Sequence, residues 1–134
     1  MRFVFDTNVI VSALLLEDST SRRAFNLALE RGKILLSFPV LSELSEVLGR
    51  QQFRKYVDED DVRRFISALV REAEWVEAWT PVVASRGPKD DKFLELAVSG
   101  RATHIISGDK DLQTLSPLQG TPILTPDAFL ETVR

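Results

Sequence analysis

The chain has 134 residues, 44% of them hydrophobic and 28% charged, with a net charge of −3 and a pI near 5.2; that is enough apolar material for one core and too little length for a second domain. It contains no cysteine and a single histidine, His104, which excludes disulfides, thiolate zinc sites, cysteine nucleophiles and any mechanism needing two imidazoles. No apolar run reaches the roughly 20 residues of a membrane span, the opening MRFVFDTNVIVSALLLED lacks the small-residue cleavage pattern of a signal peptide, and the expectation is a cytoplasmic protein with no membrane contact.

Residues 2 to 5, Arg-Phe-Val-Phe, are β-prone and end at Asp6; Asp6-Thr7-Asn8 then supplies capping chemistry for an apolar helix from Val9 to Leu16. Ser19, Thr20 and Ser21 offer caps for a second helix. Its apolar stripe is Ala24, Phe25, Ala28 and Leu29, and it stops at Arg31 followed by a C′ glycine, Gly32. Ile34 to Ser37 reads as a short buried strand. Pro39 lies in the first turn of a third helix, with Val40, Leu41, Leu44, Val47 and Leu48 on one face and Gly49 at its end. Asp58 to Ala73 shows the strongest helical pattern, with Val62, Phe65, Ile66, Leu69, Val70 and Ala73 in register and acids at its N-terminus. Trp75 to Trp79 reads as an edge strand beside Pro81, and Val82 to Lys89 as a loop. A helix restarts at Asp90 with Phe93, Leu94, Ala97 and Val98 inward and Gly100 closing it. His104 to Ser107 is a fourth strand, turned by Gly108-Asp109 into a short helix. Pro122 to Leu124 is a fifth strand, and Thr125-Pro126 caps a terminal helix. Short apolar strands alternating with helices predict a single α/β domain over residues 1–134, its parallel sheet covered on both faces.

Asp6, Glu43, Asp91 and Asp109 each follow a strand-like run or sit in the first turn of the helix behind one. The carboxyl ends of strands in an open α/β sheet meet in one crevice, so these four acids have a route to a common site. Each also has a plainer explanation, since an acid in a first helical turn is favoured by about 0.3 to 1 kcal/mol through the helix dipole. Asp90 reads as the cap of its helix, which leaves Asp91 without capping duty. Thr7 and Asn8 either orient Asp6 or cap the helix; Ser42 beside Glu43 and Ser107 before Asp109 are weaker supports; Asp111 is equally a partner of the site or a solvated residue. Carboxylate oxygens suit Mg²⁺ or Mn²⁺, which would activate water and offset charge on a phosphoryl oxygen. The acidic balance counts against a simple nucleic-acid-coating protein, but bound cations would reverse the local charge. Arg22 and Arg23, Arg50, Arg54 and Lys55, and Arg86, Lys89 and Lys92 are then candidates for meeting a polyanion, with ordinary solvation as the rival reading. His104, Trp75 and Trp79 read as packing residues.

The segments Phe-Val-Phe-Asp-Thr-Asn-Val at 3 to 9, Ser-Glu-Leu at 42 to 44, Asp-Asp-Lys-Phe-Leu at 90 to 94 and Ser-Gly-Asp-Lys-Asp-Leu at 107 to 112 together resemble the PIN domain family. The compact prokaryotic branch similar to VapC-type toxins of toxin–antitoxin pairs is the nearest pattern. That resemblance implies a three-layer α/β/α fold with a five-stranded parallel sheet, dimerisation, Mg²⁺- or Mn²⁺-dependent RNA cleavage and restraint by a cognate antitoxin. It also implies metal-binding roles for Asp6, Glu43, Asp91 and Asp109, and it selects Asp91 over Asp90 by register with Phe93. Attack by activated water leads to a 5′-phosphate and a 3′-hydroxyl as products. Two rivals stand beside it: an RNA-processing or structure-specific DNA nuclease outside a toxin system, for which no arch-like insertion is visible, and a catalytically weak RNA- or protein-binding module. A dehalogenase-type phosphatase lacks its second aspartate after Asp6, and a dinucleotide binder lacks a glycine-rich turn. Leu14 to Leu16 and Phe53 to Tyr56 are candidates for an antitoxin groove, and core packing accounts for them equally well.

Overall fold

A computed structural model describes residues 1–77 and 88–133, with the side chains of residues 88–90 outside the description. The elements in order are β1 (Arg2–Phe5), α1 (Thr7–Leu15), α2 (Thr20–Arg31), β2 (Lys33–Leu36), α3 (Phe38–Leu48), a 3₁₀ turn (Gln51–Phe53), α4 (Glu59–Glu72), β3 (Glu74–Trp75), α5 (Pro88–Ser99), β4 (His104–Ile106), α6 (Lys110–Gln113), β5 (Ile123–Leu124) and α7 (Pro126–Val133). The five strands form one parallel sheet in the order β3-β2-β1-β4-β5. Helices cover both of its faces, the three-layer α/β/α arrangement expected from the alternating pattern.

Continuous apolar strands make the sheet's middle inaccessible to water. Phe3, Val4 and Phe5 of β1, Ile34 to Leu36 of β2, and Ile105 and Ile106 of β4 are all buried, as strands covered on both sides must be. On one face Phe5 meets Phe25 of α2 and Phe129 of α7 edge-on, with ring centroids 5.8 and 6.5 Å apart, a geometry that adds about 0.5 to 1.5 kcal/mol per pair beyond burial. Phe25 continues to Phe65 of α4 at 5.6 Å. The connection from β3 back to β4 runs through α5, which lies against β1 and β2 and touches α3. Chain order therefore reverses at β1, with β2 on one side and β4 on the other. That switch point is where crevices form in open sheets.

Polar caps mark the helix starts. Ser19 accepts from Arg22 N at 3.0 Å, Ser37 from Val40 N at 3.4 Å, Asp58 from Asp61 N at 2.9 Å and Thr125 from Ala128 N at 3.1 Å, each interaction worth about 1 kcal/mol.

Several sequence expectations change. Helix α5 begins at Pro88, not Asp90, because proline is favoured in a first turn where no N–H partner is needed. Positions 90 and 91 are therefore its third and fourth residues, and the reading of Asp90 as the cap fails. The strand expected over Trp75 to Trp79 is Glu74–Trp75 in the described residues; residues 78 to 87, most of the expected loop, lie outside them. In α2 the buried residues are Ala24, Phe25 and Ala28, while Leu29 is 39% exposed. Leu27 turns inward in its place, beside Leu130 of α7. Gly32 is not a left-handed cap, since its φ is 177°. It is glycine because a Cβ there would stand 2.0 Å from the carbonyl oxygen of Met1. At the end of α5 the left-handed residue is Arg101, with φ 54°. Ala102 N donates to Ala97 O and Arg101 N to Val98 O, the paired bonds of a Schellman ending. Gly100 fits beneath, where a Cβ would meet Leu35 Cδ1 at 2.7 Å.

Candidate active site

Asp6 follows the last residue of β1, and Asp109 stands three residues beyond the end of β4, its neighbour in the sheet. Both are caps: Asp6 Oδ1 accepts from Asn8 N at 3.3 Å, and Asp109 Oδ1 accepts from Asp111 N at 2.8 Å. Capping is thus satisfied by one oxygen of each, and the other oxygen of Asp6 is placed by a second group. That group is Ser107, whose hydroxyl donates to Asp6 Oδ2 at 2.8 Å and accepts from Asp109 N at 3.0 Å. Ser107 is fully buried and Asp6 is 7% exposed. One serine therefore joins the ends of two strands that are 101 residues apart in the chain. The amide of Asp6 also donates to Ile106 O at 2.9 Å, extending the ladder to the edge of the site.

A second group lies beside the first. Thr7, 3% exposed, donates its hydroxyl to Glu43 Oε2 at 3.0 Å, which brings α3 to the start of α1. The same oxygen receives Lys92 Nζ at 3.3 Å, with the lysine and glutamate side chains 18% and 25% exposed. Lys92 follows Asp91 on α5, so the half-buried Asp91 is carried on the helix that reaches Glu43. The four acids named from the sequence thus come from β1, α3, α5 and the β4–α6 turn, around one switch point.

They do not form a closed cage. Among the described residues, no three acidic or imidazole side chains stand close enough together to hold one ion. The donor chemistry nevertheless fits a hard divalent cation: the side chains of Asp6, Glu43, Asp109, Thr7 and Ser107 offer only oxygen, as Mg²⁺ and Mn²⁺ prefer, although the Lys92 ammonium also reaches Glu43.

The supporting candidates divide. Ser107 and Thr7 orient carboxylates directly, whereas Ser42 is exposed on α3. Asn8 and Asp111 contribute backbone N–H groups to Asp6 and Asp109, and both side chains are exposed. His104 is confirmed as a packing residue, its ring 5.5 Å from Phe3 and 5.9 Å from Phe129. Burial lowers its pKa, helped by the Met1 ammonium.

The basic residues are mostly engaged. Arg22 donates to Ala13 O and Arg23 to Asp18 O, so both tie α2 to the chain before it. Arg50 pairs with Glu46 at 3.0 Å and Arg54 with Glu59 at 2.8 Å, exposed bridges of small net value that phosphate can displace. Lys55 lies over the Tyr56 ring. Arg86 and the Lys89 side chain are outside the described residues. Lys92, one of the residues read from the sequence as guides for RNA, brings its Nζ to 3.3 Å from Glu43 Oε2. No spacing rule announces that; the signal available was its place directly after Asp91.

Leu14, Leu15, Tyr56 and Val57 line a cleft of about 460 Å³ with Arg22, Asp61 and Arg64 around it. Leu16 and Tyr56 nearby are 58% and 61% exposed, while Leu14 and Phe53 pack partly on the core.

The model of the PIN domain family matches residues 2–111 of this chain. Among solved structures, the crystal structure of VapBC2 from Rickettsia felis bound to a DNA fragment from their promoter contains a chain similar in fold. Its TM-score is 0.63 over 92% of this chain and 97% of that one, at 13% identity. No curated protein matches in sequence.

Proposed function

We propose that this chain, which belongs to the PIN domain family, is a metal-dependent endoribonuclease and the toxin of a toxin–antitoxin pair. PIN domains are generally nucleases. The observation that supports the reading is the Ser107 bridge, which links the Asp6 carboxylate to the Asp109 amide beyond the ends of adjacent strands. The likeness to the VapBC2 chain supports the toxin assignment, and the cleft beside Tyr56 gives an antitoxin segment a place to bind. RNA as substrate places the protein in the cytoplasm, and a homodimer is the assembly expected.

Asp6, Glu43, Asp91 and Asp109 are the residues that would hold Mg²⁺ or Mn²⁺. When bound, such an ion supplies a Lewis acid that makes water a better nucleophile and offsets charge on the phosphoryl group. Ser107 keeps Asp6 aimed into the crevice, Thr7 does the same for Glu43, and Asp111 N–H holds the Asp109 carboxylate at the mouth of α6. The surface bridges of Arg50 and Arg54 exchange their acids for backbone phosphates as RNA docks. The products are a 5′-phosphate and a 3′-hydroxyl.

The spacing of the acids, with no three of them gathered among the described residues, favours as a second reading a PIN domain that binds RNA or protein with weak chemistry. One experiment separates the two. A mixed RNA is incubated with purified protein in Mn²⁺, in Mg²⁺ and in EDTA, beside an Asp6→Asn/Asp91→Asn variant purified identically. Cutting that needs metal and vanishes in the variant supports the nuclease. Equal cutting by both proteins exposes a contaminant, and silence in every lane, with no metal binding by calorimetry, supports the binding module.

A further inference from the structure

We propose that Lys92 is the built-in counter-ion of Glu43, holding its carboxylate in the metal-free crevice, yielding it to an arriving divalent cation and then meeting the phosphate of the substrate. This rests on the metal-dependent nuclease reading and deepens it. Glu43 Oε2 takes two partners at once, the Thr7 hydroxyl at 3.0 Å and the Lys92 ammonium at 3.3 Å. A cation that uses this oxygen displaces one of them. Thr7 is 3% exposed at the start of α1, with a short, β-branched side chain that has few rotamers to move between. Lys92 has a four-carbon stem and a strongly hydrated head that relocates readily. The lysine is the partner that moves.

Electrostatics point the same way. The Lys92–Glu43 pair is 18% and 25% exposed, against 50% and 63% for Arg50–Glu46, so it is less screened than a surface bridge. With Asp6, Asp91 and Asp109 around the same switch point, an internal ammonium offsets carboxylate repulsion while no metal is there. A divalent cation takes over that task and repels the ammonium. Lys92 then stands at the wall of the crevice with its charge turned toward a phosphoryl oxygen, whereas Arg50 and Arg54 flank the 3₁₀ turn that follows α3.

The test compares wild type, Lys92→Met and Lys92→Arg, with folding verified by circular dichroism. Free Mn²⁺ is counted by electron paramagnetic resonance during titration, and RNA cleavage is measured at saturating Mn²⁺. Lys92→Met is expected to bind Mn²⁺ roughly fivefold tighter or more, within the usual range of coupling between two sites, yet to cleave at least about tenfold more slowly for want of a positive group at the phosphate. Lys92→Arg keeps the charge and the wild-type affinity. If Lys92→Met does not fold, Lys92→Gln takes its place with the same expected directions. Mn²⁺ affinity that is unchanged or weaker in the neutral variant, or undiminished cleavage at saturation, overturns the proposal. A folded wild type that binds no Mn²⁺ removes the nuclease reading itself, and this proposal with it.

Discussion

Ser107→Ala is the sharpest perturbation of the site's framework. The hydroxyl removed is fully buried, donates to a carboxylate at 2.8 Å and accepts from the Asp109 amide at 3.0 Å. A hydrogen bond to a charged group contributes about 1.5 to 3 kcal/mol, and a buried donor left unsatisfied costs about 1 to 3 kcal/mol. The Asp109 amide is only partly buried, so water recovers some of that second part. The net loss is about 2 to 4 kcal/mol, a large share of the roughly 5 to 15 kcal/mol that holds a domain folded. Urea unfolding in EDTA reads it cleanly: the midpoint falls while the slope stays constant, because the native and unfolded surfaces are unchanged. Thermal unfolding drops by roughly 3 °C per kcal/mol for a chain of this size. Ser42→Ala is the internal control, since Ser42 is exposed on α3 and its loss stays within about 0.5 kcal/mol. If the two serine variants are equally stable, Ser107 is not the strut between β1 and β4, and the geometric basis for pairing Asp6 with Asp109 is lost.

Three further outcomes follow from the backbone and from His104. Gly32→Ala drives a Cβ to 2.0 Å from Met1 O and is expected to cost more than about 2 kcal/mol by forcing the start of β1 away from β2; an unchanged urea midpoint would contradict that contact. Arg101→Gly relieves a left-handed residue at φ 54° and should raise stability by about 1 kcal/mol in the same assay, whereas a loss would mean the arginine side chain outweighs its backbone. Burial holds the folded-state pKa of His104 below its ordinary 6.5, so as pH falls through about 6.5 the unfolded chain takes up a proton that the folded chain resists. Stability should therefore be full well above that value and decline as pH falls through and below it, with a smaller decline in His104→Gln; identical pH profiles would assign the effect to other groups.

The order of the elements was readable because each strand is short and followed by capping chemistry: Asp6, Ser19 and Thr125 cap where local patterns put caps, whereas Ser37, read as the end of a strand, and Asp58, read as the start of a helix, prove to be caps as well. Contacts across the chain were less legible. Leu27 and Leu29 are equivalent by helical spacing, and only the docking of α7 decides which is covered. Gly32 and Gly100 do end their helices as read, but what requires glycine at each is a neighbour across the chain, Met1 in one case and Leu35 in the other. Asp6 and Asp109 were given a common crevice by the rule that the carboxyl ends of strands in an open sheet meet, which needs no side-chain detail. The Thr7–Glu43–Lys92 linkage needed it, since a lysine's sequence position says nothing about whether its head reaches solvent or turns inward to a carboxylate.

The joining of Asp6 to residue 107 across 101 positions has a consequence in time. During synthesis β1, α1 and β2 leave the ribosome long before β4 exists, so a partial chain carries Asp6 and Glu43 without the strand that brings Ser107 and Asp109 to them. Ser107 then closes the two ends in a single docking event. A crevice that draws on both ends of the chain is therefore completed only once residue 107 has been made and β4 has docked beside β1.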